Sequence, residues 1–282
     1  MLLNKRQLKR LALFGFLALL IVVLSGCTNI TTPVTKDSTG IWDHYIVYNF
    51  SQFILWIAHI FNNSFGWAIV IFTIIIRLVL LPLNHFQMKS MRKQMEIQPE
   101  LEALRKKYDA KDADTQRKLQ TETQKLMSEA GVNPLMGCLP LVIQLPFMYA
   151  LFQAIARTKA LSEGSFLWMQ LGAKDPYYIM PILAALFTLA TSYLSSLSQP
   201  TQNATTRMMT WGMPIIILFT SLNFQSAITL YWVVSNAFQV GQTLLLQNPY
   251  KIIREREAKV QAKKDREKAL QKARKKAYRR KR

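Results

Sequence analysis

Long apolar stretches, separated by polar segments, dominate the pattern of the chain. A hydrocarbon core of ~30 Å takes about 20 helical residues to cross. Five stretches fit this requirement, namely 62–83, 134–156, 177–197, 208–223 and 226–247. The fourth is short, so we expect it to stand nearly upright or to thin the bilayer locally. Because backbone groups in lipid must be paired within the segment, the pattern predicts an all-α, polytopic membrane protein with five transmembrane helices.

The first 26 residues have the order of a secretory signal. Four basic residues at positions 5–10 precede an apolar stretch at 11–24, and the sequence "LSGC" ends at Cys27. Small residues directly before a cysteine resemble the lipobox of bacterial lipoproteins, in which Cys27 would be acylated and become the mature N-terminus. The alternative is an uncleaved signal anchor with an incidental cysteine. We therefore expect residues 1–26 to be a lipoprotein signal peptide.

An external Cys27 fixes the expected side of each connection, because successive spans alternate in direction. Residues 84–133 and the tail 248–282 then face the cytoplasm, whereas 157–176 lies outside. Lysine and arginine counts are an independent criterion: ten in 84–133 and sixteen in the tail, against three in 157–176. This asymmetry is that of the positive-inside rule. We expect a multi-pass protein of the bacterial plasma membrane, with a lipid-anchored external N-terminus and a cytoplasmic C-terminus.

The external segment 27–61 ends in a stretch that mixes aromatic and polar side chains. The aromatic residues are Trp42, Tyr45, Tyr48 and Trp56, and the polar ones are Asp43, His44, Asn49 and Gln52. Such a composition suits a helix lying in the headgroup layer. Asn62, Asn63 and Gly66 favour a break before the first span. The alternative is that the stretch extends the first span outward.

The polar segment 84–133 has the pattern of a cytoplasmic helical hairpin. Pro99 and Glu100 are suited to the start of a helix, because proline fits the first helical position and a carboxylate favours the positive end of the dipole. Residues 111–114 form the expected turn, and Gly131 is a typical C-terminal stop for the return helix. Most hairpins of this kind are structural spacers, and a docking role is the alternative.

The tail, residues 248–282, carries sixteen basic and four acidic residues, and its apolar residues show no period that predicts packing. Basic segments next to a membrane bind anionic lipids, at about 1 kcal/mol per residue near the surface. The same composition would bind RNA phosphates with a steep salt dependence. The tail contains neither a pattern of interspersed aromatic residues nor a known RNA-binding module that would recognise bases. We therefore expect no sequence-specific binding of nucleic acid.

Arg77 interrupts the first span, in "IFTIIIRLVLLPL". An arginine at mid-span costs roughly 2.5 to 3.5 kcal/mol on insertion scales. The predicted spans contain no aspartate or glutamate, and Glu163 and Asp175 fall outside on this topology. One interpretation is snorkelling, because Arg77 is about six residues, or ~9 Å, from the inner end of its span.

Uncharged polar side chains on the other spans support a second interpretation. They are Gln144, Ser192, Tyr193, Ser195, Ser196, Tyr231, Ser235, Asn236, Gln239 and Gln242. Polar residues in spans usually join helices. Their number, together with one cation, indicates instead a hydrated cavity that opens to the inner leaflet and contains no catalytic group. Such a cavity suits a passing acidic polypeptide, which would itself supply the acid for Arg77.

These segments resemble the YidC/Oxa/Alb family of membrane protein insertases, in its Gram-positive lipoprotein form. The resemblance covers residues 41–248. It rests on "TIIIRLVLLPL", "IQPELEALRKKY", "NPLMGCLPLVIQLPFMYALF" and "LYWVVSNAFQVGQ". It implies five spans around a hydrophilic groove that is closed on the outside. With the polar pattern it assigns a client-binding groove to Arg77, Gln144, Ser195, Tyr231, Trp232, Asn236 and Gln239. Family members often carry a larger polar residue where Ser195 stands.

The resemblance also implies the partners. The hairpin at 84–133 would help to receive nascent membrane-protein clients, and the tail at 251–282 would contact the ribosome, by composition, besides anionic lipids. The protein could act alone or together with the Sec translocon, and the sequence does not decide between the two. No cofactor, metal or catalytic residue is expected. Cys27 and Cys138 lie in such different surroundings that they indicate neither a disulfide nor a metal site.

Three other classes of membrane protein fit less well. An intramembrane protease needs a Ser–His pair, two aspartates or an HExxH site within the membrane, and none of the three histidines lies deep in a span. A transporter usually shows inverted repeats or paired broken helices, which the five stretches lack. A lipid-anchored scaffold would not need Arg77.

Overall fold

The computed structural model is mostly helical. It describes five ranges of residues, namely 32–110, 112–133, 139–201, 204–246 and 248–280. Three predicted features lie outside these ranges: the signal peptide 1–26, the lipidation residue Cys27, and the start of the second span at 134–138.

The helices are numbered along the chain. They are α1 (Tyr48–Ile60), α2 (Phe65–Val79), α3 (Leu81–Glu96), α4 (Gln98–Lys107), α5 (Ala113–Glu129), α6 (Leu139–Ala156), α7 (Lys159–Ser162), α8 (Ile179–Leu197), α9 (Ala204–Ser221), α10 (Ser226–Leu246) and α11 (Pro249–Arg280). A π-helical turn, Trp42–Val47, leads directly into α1. Two short strands, β1 (Ser165–Phe166) and β2 (Met169–Gln170), form an antiparallel hairpin in which Phe166 is opposite Met169.

A sharp bend separates α1 from α2. The helical segments Trp42–Ile60 and Phe65–Val79 differ in direction by 117°. Asn62 and Asn63 in the connection have φ angles of 53° and 59°, in the left-handed region that asparagine tolerates better than most residues. The sequence-based expectation of a break here rested on these two asparagines together with Gly66.

The main apolar core lies where α1, α2, α6 and α10 meet. A set of contacting aromatic rings leads from this core toward the candidate site. Phe72 stacks on Phe147 with 6.0 Å between ring centroids, and Phe147 contacts Tyr231 at 5.7 Å. These contacts hold the Tyr231 side chain, which is 3% exposed.

The connection between α6 and α8 closes one end of the helix bundle. The Ser226 and Ala227 amides, at the start of α10, donate to the Ala173 and Leu171 carbonyls at 2.7 and 3.0 Å. These bonds satisfy two N–H groups that a helix start otherwise leaves unpaired. Phe166, from β1, packs directly over Gly66 in the first turn of α2.

The segment expected to be a hairpin contains three helices, α3, α4 and α5. The break between α3 and α4 is at Ile97, immediately before Gln98 and Pro99. Asp112 caps α5, because its carboxylate accepts a hydrogen bond from the Thr115 amide at 2.8 Å. This bond lowers the pKa of the exposed Asp112 carboxyl, because it stabilises the charged form.

The basic tail is a helix, α11, and its first turns pack against the rest of the protein. Ile252 is 9% exposed, Arg92 of α3 pairs with Glu255 at 2.6 Å, and Arg256 donates to the Ser198 carbonyl. The prediction that no apolar residue of the tail would pack is therefore wrong for these turns. A single buried isoleucine beside one ion pair and one hydrogen bond leaves too little hydrophobic periodicity for sequence analysis to detect.

Length and apolar composition identify fewer spans among the described residues than the sequence pattern did. Helix α8 alone is long and apolar enough to cross a membrane, and α1 with α2 meets the criterion only as a bent pair. Residues 142–156 of α6 are apolar but form a shorter segment. Helix α2, with 15 residues, is ~22 Å long, and polar residues interrupt α10. The five-span arrangement thus stays a prediction.

Candidate functional site

Arg77 lies in the last turn of α2 and reaches toward α10. Its Nε donates to Ser235 Oγ at 2.8 Å, its Nη1 donates to Gln239 Oε1 at 3.4 Å, and its Nη2 also donates to Ser235. Ser235 and Gln239 are four residues apart and therefore share one face of α10. Ser235 is 2% exposed. The guanidinium is thus held by uncharged oxygens.

Within the described ranges, no carboxylate forms an ion pair with Arg77. A buried cation in the same protein differs in this respect. Arg157, which is 5% exposed, donates to both carboxylate oxygens of Asp43, at 2.9 and 2.7 Å. Arg77, which is partly buried, has hydrogen-bond partners but no carboxylate partner among the described residues.

Arg77 borders a cavity of about 220 Å³ between α2, α3, α6, α8 and α10. Four of the seven predicted groove residues line it: Arg77, Gln144, Ser195 and Gln239. Tyr231 lies behind this lining, where its hydroxyl accepts a hydrogen bond from Gln144 Nε2. The prediction thus names side chains from four helices that the fold brings to one place.

Trp232 and Asn236 are not among the residues that line the cavity. Trp232 packs edge-on against Phe224, with ring centroids 5.3 Å apart. Asn236 Nδ2 donates to the Trp232 carbonyl at 3.0 Å, within its own helix. Both residues contribute to the internal structure and packing of α10 beside the cavity.

Sequence analysis missed the contribution of α3. Asn84, Gln87, Met88 and Met91 line the cavity together with Leu80. The sequence does contain a signal for them, because positions 77, 80, 84, 87 and 91 recur every three or four residues, as on one helix face. Assigning every residue beyond 83 to the cytoplasmic hairpin concealed this continuous face.

The cavity is suited to binding rather than to bond cleavage. Its polar lining consists of Arg77, amides and hydroxyls, and the lining that the structure describes includes no carboxylate, histidine or cysteine. In the described part of the chain, no group of three or more metal-ligating side chains occurs. Arg77 and the amides offer hydrogen-bond donors, and the amides and hydroxyls offer acceptors.

Comparison with known proteins identifies the family. A family model described as "60Kd inner membrane protein" matches residues 56–257 of the chain. The chain belongs to this family. The "Membrane protein insertase YidC" of Pediococcus pentosaceus is 54% identical over 256 residues, which are 90% of this chain and 91% of that protein. The protein of the same name from Enterococcus faecalis is 53% identical over 268 residues, covering 95% and 96%.

A solved structure is similar to this chain in fold. It is described as an active YidC insertase crystal structure with the first transmembrane domain resolved. The TM-score is 0.57 at 36% sequence identity, and the match covers 72% of this chain and 46% of the other. This chain thus matches just under half the length of that structure. The resemblance to the YidC family is confirmed, and the helices described above have a YidC-like fold.

Proposed function

We propose that this chain is a membrane protein insertase, which receives hydrophobic clients from the cytoplasm and inserts them, or helps them fold, in the plasma membrane. The relatives that carry this name match almost the full length of the chain. The observation that carries the proposal is Arg77. It is a cation held at a cavity by Ser235 and Gln239, with no acid partner in the described residues.

The proposed membrane arrangement has five spans, at 62–83, 134–156, 177–197, 208–223 and 226–247. Helix α2 is short, but α3 begins after a single residue, Leu80, and so supplies the missing length. The 117° bend supports an interfacial position for the helix before the first span. The excess of lysine and arginine in 84–133 and 248–282 supports a cytoplasmic location for both segments.

The proposed mechanism is a partial replacement of the client's hydration. An acidic, weakly hydrophobic client segment enters the groove from the cytoplasm, and Arg77 with the polar side chains draws it to mid-membrane depth. This shortens the path that the segment must still cross. The apolar flank of the client then moves into lipid, where hydrophobic burial contributes about 25 cal/mol per Å². No covalent bond is broken and no nucleotide is needed, so the protein acts as a chaperone and not as an enzyme.

The proposed external anchor is an acylated Cys27. Thr32 is five residues further on, and both its carbonyl and its hydroxyl accept hydrogen bonds from Arg157, at 2.7 and 3.3 Å. Five residues of extended chain reach about 17 Å. Arg157 directly follows α6, so the lipid would enter the outer leaflet within that distance of the end of α6.

The proposed partners on the cytoplasmic side follow from charge. Beyond the packed first turns of α11, residues 257–273 are exposed and rich in lysine and arginine. This part suits the ribosome or anionic lipids, with contacts to phosphates and none to specific bases. Clients would be nascent membrane proteins, delivered either directly or through the Sec translocon.

Reconstitution tests the proposed function. The purified chain in liposomes should insert a purified single-span client without ATP, so that protease added outside no longer digests the translocated segment. Protein-free liposomes are the control for spontaneous insertion. Cleavage of the client, solute flux across the liposomes, or protection no greater than in the control would each contradict an insertase.

A further inference from the structure

The polar lining of the cavity is dominated by side-chain amides rather than by charge. Asn84 and Gln87 come from α3, Gln144 from α6 and Gln239 from α10. Gln87 is 4% exposed. These four residues form what we call the amide set. These amides line the same cavity as Arg77. The binding of client acids that is assigned to Arg77 does not explain why four amides are present.

Amide groups at this site are incompletely paired. Asn84 Nδ2 is buried and has no hydrogen-bond partner in the part of the chain that the structure describes. The same is true of Oε1 of Gln242, which is 4% exposed and whose Nε2 lies 3.6 Å from Sδ of Met88 in the lining. A buried polar group without a partner is unfavourable and is uncommon in folded proteins. Unpaired amides beside a cavity therefore point to a hydrogen-bonding ligand.

The chemistry of the amide set matches the peptide group. A side-chain amide has an N–H₂ donor and a carbonyl acceptor, as the peptide bond has an N–H and a C=O. Arginine has donors only, so Arg77 can bind client carboxylates and carbonyls but cannot accept from a client N–H. Gln144 uses its N–H₂ group on Tyr231, which leaves its carbonyl oxygen for an N–H donor.

A client segment that has not yet formed a helix carries one unpaired N–H and one unpaired C=O at nearly every residue. In hydrocarbon each of these groups is strongly unfavourable. We propose that the amide set binds the main chain of such a segment, through its peptide N–H and C=O groups. This inference rests on the proposed insertase function and adds a second, sequence-independent element to the recognition by Arg77.

The apolar part of the lining fits this reading. Leu83, Met88 and Met91 come from the same helix as Asn84 and Gln87, Leu80 directly precedes that helix, and Met91 is 41% exposed. Methionine is unbranched and polarisable, and it adapts to side chains of different shape. Amides for the constant main chain and methionines for the variable side chains together suit a site that receives many sequences.

Near-isosteric substitutions in liposomes test the proposal. The variants are Asn84→Leu and Gln87→Met, and the control is Gln94→Met on the same helix, away from the cavity lining. Each variant inserts two clients that differ only in whether the translocated segment contains two aspartates or two asparagines. We expect each cavity variant to lower the initial rate about fivefold for both clients, the ratio for one net hydrogen bond of ~1 kcal/mol. The control should keep the wild-type rate.

A backbone substitution in the client distinguishes main-chain from side-chain recognition. In a synthetic client, ester bonds replace the peptide bonds of the translocated segment and so remove its N–H donors. The ester keeps its C=O acceptors. The rate difference between the wild-type protein and Gln87→Met should therefore be smaller for this client than for the normal client, because the Gln87 carbonyl oxygen has lost the N–H donors it would accept from. An equal fractional drop in the Gln87→Met rate for the peptide client and the ester client would overturn the proposal, as would a drop limited to the client that contains aspartates. Gln87→Met suffices for this comparison if Asn84→Leu does not fold.

The outcomes separate this inference from the proposed function. If the wild-type protein inserts neither client, the insertase function itself is wrong. If it inserts both, and the cavity variants match Gln94→Met, only main-chain recognition is wrong. Melting temperatures of the purified variants should stay close to that of the wild type, so that a lower rate reports on binding.

Discussion

Arg157 donates two hydrogen bonds to the carboxylate of Asp43, at 2.9 and 2.7 Å, across 114 residues of sequence. The same guanidinium donates to Gln153 Oε1 at 3.3 Å, which also accepts from Trp42 Nε1 at 3.0 Å. This network connects the start of the first helical segment to the end of α6. Its arginine is fully paired, in contrast to Arg77.

Removing Asp43 should destabilise the protein strongly. Asp43→Ala leaves Arg157 buried without its partner, and breaking a buried pair in this way costs about 3–5 kcal/mol. Thermal unfolding of the purified protein in detergent measures the effect. Asp37→Ala is the matched control, because Asp37 is exposed. Equal melting temperatures for the two variants would show that the pair contributes little to stability.

The Arg157 network also shows which features sequence analysis cannot predict. Arg77, Gln144, Ser195 and Gln239 were recognisable because a polar residue in an apolar stretch is conspicuous and expensive. Asp43 and Arg157 are polar residues in polar connections, and their pairing depends on tertiary contact alone. The long apolar stretches predicted the helical fold, because backbone groups in lipid must be paired within a segment, and the family resemblance implied the same fold.

The contribution of α3 was missed for another physical reason. A helix that passes from lipid into water keeps its inward face while its outward face changes from apolar to charged. Asn84 and Gln87 were therefore assigned to a hydrophilic hairpin because their segment is polar on average. They nevertheless continue the helix face on which Arg77 lies. Periodicity is the better criterion across such a boundary, because it does not depend on mean polarity.

The contact between α3 and α11 should depend on pH. The hydrogen bond from Arg92 lowers the pKa of the Glu255 carboxyl. The pKa of Glu255 is thus lower in the folded protein than the ordinary carboxyl pKa of ~4.3. The contact is therefore complete above pH ~4.3, and it is lost as the pH falls through the pKa of Glu255 in the folded protein. Spin labels on Met95 and Lys259 should therefore report a constant distance at neutral pH and a longer one only in acid.

Glu255→Gln tests the same contact without acid. The distance between the two labels should be longer and more broadly distributed at neutral pH, because the ion pair with Arg92 is gone. Glu257→Gln, which changes an exposed neighbouring carboxylate, should leave the distance unchanged. If both variants behave as the wild type, Ile252 and the Arg256 contact are enough to hold the helix.

Gly66 is expected to be essential for the closed end of the bundle. A Cβ atom on Gly66 would lie 1.9 Å from Phe166 Cγ, so Gly66→Ala forces the β-hairpin away from α2. We expect a melting temperature lower by several degrees and faster labelling of a cysteine at Ala173. Gly241→Ala is the control, since a Cβ there meets no atom within 4 Å. Normal stability of Gly66→Ala would mean that the hairpin moves aside at little cost.

The proposed topology requires opposite locations for the two polar ends of the bundle. Cysteines introduced at Asp114 and Gln170, both exposed, should react with a membrane-impermeant thiol reagent from opposite sides in intact cells. Asp114→Cys should react only after the membrane is opened, and Gln170→Cys before. Replacing Cys138 removes the other thiol outside the proposed lipidation site. Reaction of both positions in intact cells would contradict the orientation of the groove.

Arg77 should matter most for clients that carry acid across the membrane. Its guanidinium has neutral partners in Ser235 and Gln239, so a client carboxylate would be its first counter-ion among the groups described. Arg77→Ala should lower insertion of a client with acidic residues in its translocated segment on the order of tenfold, since a charge-assisted hydrogen bond contributes roughly 1.5 kcal/mol or more. The same client with asparagines should lose much less.

Arg77→Lys should retain most of the activity, because a moving client requires a positive charge at this position. The two hydrogen bonds that Arg77 makes to α10 matter less for the client. Initial insertion rates in liposomes, measured at equal amounts of folded protein, decide between two roles. Equal losses for both clients would show that Arg77 serves to hold α2 against α10 and that its charge is not used on the client.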